Sequence, residues 1–149
     1  MKSKILVWGS ILFIFWSCAT APVPQQIVNS FKIDRAFDSV WVAVIETFSD
    51  LQLPILNMEK DSGLIVTDWI DFKGQDNNGY CDCGKLTWKK EETREGKFNI
   101  FVKKITEASC EIKINTMYRQ IIINYGDKRD CVSTGKLEKE FYDLVLGKT

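Results

Sequence analysis

Histidine is absent from this 149-residue chain. Its absence removes the commonest general base of enzymes and the commonest side-chain ligand of metals. Neither charge is in excess, because 20 lysines and arginines balance 20 aspartates and glutamates, and nucleic-acid binding domains are usually basic. The sequence also lacks a P-loop, a nucleophile elbow and a paired-carboxylate motif. These absences predict a protein that is not an enzyme, binds no nucleic acid, and uses no metal and no cofactor.

No apolar run in the chain reaches the length of a transmembrane helix. Lys2 and Lys4 precede an uncharged, mostly apolar run of 12 residues from Ile5 to Trp16. As a helix this run would span about 18 Å, against a hydrocarbon core about 30 Å thick. A positive start followed by a short apolar run is typical of a secretory signal segment. The run ends at Ser17 and Cys18, where a small residue directly precedes a cysteine.

The Ser17-Cys18 pair resembles the lipobox of bacterial lipoproteins. The resemblance implies a signal peptide over residues 1–17 and a lipidated Cys18 that fastens the protein to a membrane. Residues 18–29 then form a tether, which Pro22 and Pro24 keep extended, and residues 30–149 form a single domain. Two alternatives remain, which are ordinary cleavage after Ala21 and an uncleaved anchor.

The residue that follows Cys18 indicates to which membrane a lipoprotein would be sorted. It is Ala19 and not aspartate. By resemblance to the sorting rules of enteric bacteria, an alanine here implies the outer membrane and not retention at the inner membrane. The expected location is therefore the cell envelope, with the domain anchored by lipid and facing the periplasm.

Two helices are predicted in the domain. Asp34 is a good N-cap residue, and Pro54 stops the first helix from extending. Between them, apolar residues recur at helical spacing and form one stripe: Phe37, Val40, Trp41, Val44, Ile45, Phe48 and Leu51. Near the carboxyl end, Ser133 or Thr134 can cap a second helix, whose apolar face carries Leu137, Phe141, Leu144 and Val145.

Strand patterns fill the region between the helices and also precede the first helix. Alternating or β-branched runs predict strands at Phe31–Ile33, Ile55–Met58, Leu64–Ile70, Leu86–Thr93, Phe98–Ile105 and 109–118. Turns are predicted at Lys60–Gly63 and at Glu95-Gly96. A hairpin tip of mixed charge is predicted from Lys89, Lys90, Glu91, Glu92, Arg94 and Glu95. Residues 121–125 either continue the last strand or fold back.

The order of these elements predicts the architecture. Consecutive strands joined by short turns pair antiparallel, and two amphipathic helices must bury their apolar faces against the sheet. We therefore predict an α+β fold, with an antiparallel sheet of about five to six strands and two helices packed on one face.

Two stretches of the domain resemble BamC-like envelope lipoproteins. One is Phe31–Trp41, a strand followed by an Asp-started helix with a buried Trp. The other is Lys60–Thr67, followed by Trp69, in which a charged residue and a glycine precede a strand. The resemblance implies a helix-grip-like fold, a role in outer-membrane assembly or envelope maintenance, and other envelope proteins as partners. It does not imply catalysis.

Four cysteines follow Cys18: Cys81, Cys83, Cys110 and Cys131. An even number in an exported domain predicts disulfides. Three pairings are possible, of which Cys81 with Cys83 is least favoured because one intervening residue strains the bridge. Zinc is not favoured, because the cysteine spacing is not that of a zinc ribbon. A reactive redox pair at Cys81 and Cys83 is disfavoured because Lys85 is the only cation nearby.

A resemblance to small lipoproteins favours one of the possible disulfide pairings. The phrases Asp82-Cys83-Gly84 and Cys131–Glu138 are similar to phrases of small lipoproteins in which the two cysteines pair. This implies a Cys83–Cys131 bridge, with Cys81–Cys110 as a second possible bridge. Cys110 is in phase with the apolar residues of its strand, so a buried thiol is the alternative for that residue.

A long polar loop is the candidate binding segment. Residues 71–84 are rich in Gly, Asn and Asp, and the loop is long enough to bind a partner. It lacks the alternating Asp pattern of a calcium loop. The residues expected to contact a partner are Asp71, Asp76, Asn77, Asn78 and Tyr80.

The sequence thus predicts a membrane-tethered, non-enzymatic interaction or accessory module of the cell envelope. Its mechanism would be recruitment, because confinement to a surface raises the effective concentration of the domain near membrane partners. The alternative is a periplasmic module that holds a small or lipidic molecule between the sheet and the helices.

Overall fold

The computed structural model describes residues 25–72, 79–85 and 92–149. These residues form two helices and eight strands. In chain order they are β1 (Ser30–Ile33), α1 (Phe37–Asp50), β2 (Ile55–Glu59), β3 (Leu64–Thr67), β4 (Ile70–Asp71), β5 (Cys81–Asp82), β6 (Glu92–Thr106), β7 (Ser109–Ile122), β8 (Asp127–Ser133) and α2 (Lys136–Lys148). Neither helix of this described part has the length and apolar character needed to cross a membrane.

The strands form one antiparallel sheet with the order β2-β3-β6-β7-β8-β5. The long β6–β7 hairpin is its centre, with Ile100 paired to Ile114. The short β4 adds to β6, and β1 adds to β7. The α+β prediction is confirmed. The sheet has more strands than the five to six predicted, because β4 and β5 have only two residues each and β8 lacks an alternating apolar pattern.

Both helices pack on one face of the sheet. The stripe of α1 buries Val40, Val44 and Phe48, as its spacing predicted. These side chains meet alternate residues of the central strands and the apolar face of α2. We call this set the large core. Its buried members are Ile33, Val40, Trp41, Ala43, Val44, Phe48, Ile65, Ile100, Val102, Cys110, Ile112, Ile114, Phe141 and Val145.

Strands β1 and β8 share one edge of β7. Phe31 pairs with Ile112 near the start of β7, and Cys131 pairs with Tyr118 near its end. The segment before β1 continues along the same edge, where the Ile114 N–H donates to the Asn29 carbonyl at 2.8 Å. Farther back, Ile27 lies against Gly135, the residue directly before α2. The chain therefore enters the fold beside the start of the last helix.

The predicted turn at Lys60–Gly63 is confirmed, and it requires its glycine. Gly63 has a φ of +71°, and a Cβ built there would lie 2.0 Å from the Val102 carbonyl oxygen. The Val102 N–H donates to the Gly63 carbonyl at 2.8 Å. The backbone of the β2–β3 turn is thus fixed directly to β6.

The predicted turn at Glu95-Gly96 is wrong, because both residues lie inside β6. Gly96 pairs with Tyr118 of β7, and a Cβ on it would lie 2.5 Å from the Phe72 ring. The glycine therefore makes room for an aromatic ring. Of the expected charged tip, the part from Glu92 to Glu95 is strand, and Glu95 forms an ion pair of 2.5 Å with Arg119 of β7. The rest of the tip, residues 89–91, lies outside the described residues.

The helix starts also differ from the prediction. Helix α1 begins three residues after Asp34, and its N-cap position is Ala36, with no side-chain cap. Asp34 instead pairs with Lys32 at 3.3 Å. Helix α2 has Gly135 at its N-cap position, with a φ of +81°. The Ser133 hydroxyl, two residues before the N-cap position, accepts a hydrogen bond from the Gly135 N–H at 3.1 Å, whereas a conventional cap accepts from an N–H of the first helical turn.

Candidate functional site

An apolar cleft of about 380 Å³ opens between the end of α1, the first turns of α2 and the sheet. Most of its lining is apolar: Leu51, Leu53, Ile70, Phe72, Phe98, Leu137, Phe141 and Leu144. Its polar lining consists of Gln52, Asp71, Tyr80 and Glu140. Pockets for small molecules combine such an apolar surface with a few polar groups.

The end of α1 shapes one wall of the cleft. Gln52 has a φ of +52°, a backbone conformation that few residues other than glycine adopt. The chain reverses there, and the Leu53 N–H donates to the Phe48 carbonyl at 2.9 Å. With the Gln52 N–H, which donates to the Ser49 carbonyl at 3.1 Å, this bond closes the helix in a Schellman motif. The motif places Leu51 and Leu53 on the cleft instead of farther along the helix axis.

The rim of the cleft carries carboxylates that already have hydrogen-bond partners. The Tyr80 hydroxyl donates to Glu140 Oε2 at 2.8 Å, and Lys136 Nζ lies 3.7 Å from Glu140 Oε1. The Thr93 hydroxyl donates to Asp71 Oδ1 at 2.7 Å. These contacts hold the rim in place and give it acidic groups.

Phe72, Tyr80 and Leu137 form the back of the cleft and pack at the same time against a second, smaller group of buried residues. We call this group the small cluster. Its buried members are Cys81, Cys83 and Tyr118, and Cys131 packs against them. The cleft therefore depends on this cluster for part of its wall.

The structure joins Cys83 and Cys131 in a disulfide, which is the pair implied by the lipoprotein resemblance. The residues are 48 positions apart in the chain. The register of β5 and β8 brings the two cysteines together, because Cys81 lies opposite Ser133 and these strands run antiparallel: one disulfide cysteine is two residues after Cys81 and the other is two residues before Ser133. The bond thus ties the segment before β6 to the strand that leads into α2.

The possible second bridge between Cys81 and Cys110 is wrong. Cys110 pairs with Ile33 at the beginning of β7 and lies in the large core, where its thiol donates to the Arg35 carbonyl at 3.2 Å. Cys81 lies in the small cluster beside Tyr118, at the other end of the same strand. Both remain thiols, and Cys81 Sγ lies 3.8 Å from Cys83 Sγ.

Burial shifts the ionisation of several groups near these residues. Desolvation raises the pKa of the Cys81 thiol, although Arg94 acts against this. Desolvation also raises the pKa of Cys110. The pKa of Tyr118 is strongly raised, first by burial and then by the nearby Glu138 carboxylate. At neutral pH these groups are therefore protonated.

Glu138 is a buried residue that the sequence reasoning missed. Its side chain is 0% exposed, and Oε1 accepts hydrogen bonds from Thr116 at 2.6 Å and from Ser133 at 2.7 Å. The carboxylate therefore links the first turn of α2 to β7 and β8. Its spacing from the buried Phe141 and Val145 is helical, and that spacing is the signal that could have found it.

The structure brings together only part of the predicted binding loop. Asp71 and Tyr80 both line the cleft, on opposite sides of the loop. Asp76, Asn77 and Asn78 lie outside the described residues, as do Cys18 and the expected signal peptide. The sequence thus predicted two residues at the edge of the cleft, Asp71 and Tyr80, and missed the helix residues that line it.

Chemically, the cleft can bury an apolar group while its acidic rim meets a neutral or positively charged one. The described side chains around it include two carboxylates, Asp71 and Glu140, that already accept hydrogen bonds. No protein-family model and no curated protein matches this chain.

Proposed function

We propose that this protein is a lipid-anchored module of the cell envelope that works by binding and not by catalysis. Its cleft takes the apolar part of a small or lipidic molecule. The observation that carries the proposal is the apolar cleft of about 380 Å³ between the sheet and the helices. This volume lies at the lower end of the range of about 300–1,000 Å³ that holds small ligands.

The rim narrows the chemistry of the ligand. Asp71 and Glu140 place two carboxylates at the edge of the cleft, and Lys136, which is not in the lining, offsets part of the charge of Glu140. A ligand with an anionic head group would meet repulsion there, because like charges at short range disfavour binding. The expected ligand therefore has an apolar body with a neutral or cationic polar end.

The anchor proposed at Cys18 would keep the cleft close to a membrane. Ile27 contacts Gly135, which is two residues from the cleft residue Leu137. Even fully extended, the nine residues from Cys18 to Ile27 span at most about 30 Å. A lipid on Cys18 would thus hold the cleft within reach of molecules that leave or enter the bilayer.

A matched pair of leucines on α2 tests the cleft. Leu144 lines the cleft and Leu146 does not, yet both are 45% exposed. In nanodiscs, the full chain should bind a fluorescent neutral monoacylglycerol saturably, above the uptake by empty nanodiscs. Leu144→Glu should weaken this binding at least about tenfold, equivalent to about 1.4 kcal/mol, whereas Leu146→Glu should leave it unchanged. Equal effects of the two variants would contradict the proposal.

Head-group preference gives a second readout of the same proposal. A fatty acid with the same acyl chain should bind more weakly than the monoacylglycerol at neutral pH. Glu140→Gln should reduce this difference, because it removes one charge from the rim. A preference for the fatty acid in the unaltered protein would exclude the acidic rim as a selective element.

Anchoring is tested separately. Cys18→Ser should release the protein from the membrane fraction, because the change removes the acylated residue. Mass spectrometry of the unaltered protein should find acyl chains on Cys18 and no residues 1–17. Unchanged membrane retention of the variant would contradict the lipid anchor without bearing on the cleft.

Strand β2 supports a second candidate function, the recruitment of another envelope protein. It is an edge strand exposed along its whole length, and Leu56 and Met58 are 63% and 50% exposed. An exposed edge can add a strand from a partner. A photo-crosslinker at position 56 should then capture one specific protein in cells, while one at position 144 should capture none.

A further inference from the structure

Three sulfur atoms meet in the small cluster. The Sγ atoms of Cys81, Cys83 and Cys131 all lie within 4.8 Å of one another. Cys81 and Cys83 are buried, and Cys131 is half-buried. The disulfide between Cys83 and Cys131 already ties the chain together, so the third sulfur is not needed for the cross-link.

The spacing of the third sulfur matches metal coordination. Cys81 Sγ and Cys83 Sγ are 3.8 Å apart. In a thiolate site with metal–sulfur bonds of about 2.3 Å, neighbouring sulfurs are about 3.8 Å apart in tetrahedral geometry and about 4.0 Å apart in trigonal geometry. Cys81 therefore already has the position of a ligand relative to Cys83.

We propose that Cys81, Cys83 and Cys131 form a binding site for a single cuprous ion when the Cys83–Cys131 disulfide is reduced. The proposal does not depend on what occupies the cleft. Soft thiolate ligands suit Cu(I), zinc and iron–sulfur clusters, and structural zinc takes four protein ligands. A three-coordinate ion also suits a site in which the described residues supply three sulfurs and no carboxylate within the same 4.8 Å.

Two arginines near this site act in favour of thiolates, against burial and the Asp82 carboxylate, which both raise the pKa of Cys81. The Arg129 guanidinium donates a hydrogen bond to the Cys83 carbonyl, and Arg94 acts electrostatically on Cys81. Three thiolates and one Cu(I) carry a net charge of −2, of which the two arginines offset a part, because Arg94 is also paired with Glu92 at 3.0 Å. A bound metal also deprotonates a coordinating thiol that burial would otherwise keep neutral.

Binding of Cu(I) first requires a dithiol reductant to open the Cys83–Cys131 disulfide. The reductant transfers two electrons and two protons to the Cys83–Cys131 bond, which breaks to give two thiols, and the reductant becomes a cyclic disulfide. Binding of Cu(I) then releases the protons of the three thiols to solvent. A disulfide oxidant would reverse the process: it takes two electrons from the Cys83 and Cys131 thiolates and two protons from solvent to become a dithiol, the Cys83–Cys131 bond forms again, the ion leaves, and the Cys81 thiolate takes up one proton.

Anaerobic titration of the reduced full chain with Cu(I), in competition with a chromophoric chelator, tests the site. One ion should bind per chain, and X-ray absorption should show three sulfur neighbours. Cys81→Ser keeps the disulfide pair and should weaken the affinity more than about 100-fold, since losing a ligand exceeds the effect of losing an outer contact. The oxidised chain should not compete for the ion.

Two matched variants control for the other cysteines. Cys110→Ser, in the large core, and Cys18→Ser should both retain full affinity. If the reduced chain loses its native circular dichroism, one equivalent of Cu(I) should restore it. Each of three results would overturn the proposal. They are an affinity of Cys81→Ser for Cu(I) equal to that of the unaltered chain, a copper coordination shell with fewer than three sulfurs, and failure of the reduced chain to compete for Cu(I).

Discussion

The large core and the small cluster stabilise the two ends of the same sheet by different means. The large core draws 14 buried residues from both helices and several strands. The small cluster has three buried residues and relies on a disulfide and on the rings of Phe72, Tyr80 and Tyr118. One end is thus held by apolar burial, and the other by a covalent bond whose existence depends on redox conditions.

This difference in stabilisation matters because residues of the large core and residues that pack against the small cluster both line the cleft. Phe141 belongs to the large core, and Phe72, Tyr80 and Leu137 pack against the small cluster, yet all four line the cleft. Conditions that disturb only the small cluster should therefore alter one wall of the cleft and leave the other in place.

The largest effect should come from the large core. Trp41 is buried and stacks on Phe37, with ring centroids 5.9 Å apart. Trp41→Ala should lower the free energy of unfolding by about 3–5 kcal/mol, because it removes a large buried side chain and leaves a cavity. Val42→Ala, at the next position and 52% exposed, should change it by less than about 0.5 kcal/mol. Urea unfolding of the oxidised protein measures both.

Loss of the disulfide should have the next largest effect. Cys83→Ala and Cys131→Ala should each cost about 2–4 kcal/mol, because the unfolded chain regains the freedom of a 48-residue separation. The double variant should cost little more than either single variant, since one bond is lost in all three. Cys110→Ala removes a buried sulfur of the large core without a cross-link and should cost about 1 kcal/mol.

The smallest effect of a single group should appear at alkaline pH. Burial raises the pKa values of Cys81, Cys110 and Tyr118 above those of the unfolded chain. Above about pH 9 to 10 the unfolded state loses these protons and the folded state keeps them, so folding stability should fall as pH rises. Each group contributes at most about 1.4 kcal/mol per pH unit.

Two tyrosine variants show how much of the alkaline loss of folding stability is due to Tyr118 in the small cluster. Tyr118→Phe should make the decline between pH 10 and 11 less steep, because it removes one of the buried acids. Tyr125→Phe removes a tyrosine hydroxyl at a position that is 68% exposed and serves as the control variant. Thermal melts across this pH range measure the difference, and an unchanged slope in Tyr118→Phe would show that Tyr118 ionises without penalty in the folded protein.

The sequence predicted the large core better than the small cluster, for physical reasons. Repeated apolar spacing revealed α1, because a helix that buries one face must repeat its apolar residues. Strand β8 shows no such repeat, since it lies largely exposed at one side of β7. Gly96 suggested a turn because glycine is common there, whereas its actual role is to leave room for the Phe72 ring.

The candidate site was foreseen only at its edges. Asp71 and Tyr80 were identified from loop composition, and the disulfide from a resemblance. The helix residues of the cleft, such as Leu51 and Leu144, look like ordinary members of an apolar stripe. A stripe shows that residues face inward, but not whether the partner surface fills the space opposite them.

The position of β1 has a consequence for the timing of folding. Asn29 and Asn115 are hydrogen-bonded although they are 86 positions apart in the chain. The first of the described strands to leave the ribosome must therefore wait for one of the last of them before it can pair. On the export route proposed above, this delay would leave the amino-terminal stretch unfolded and open to cleavage and acylation while most of the domain is still being made.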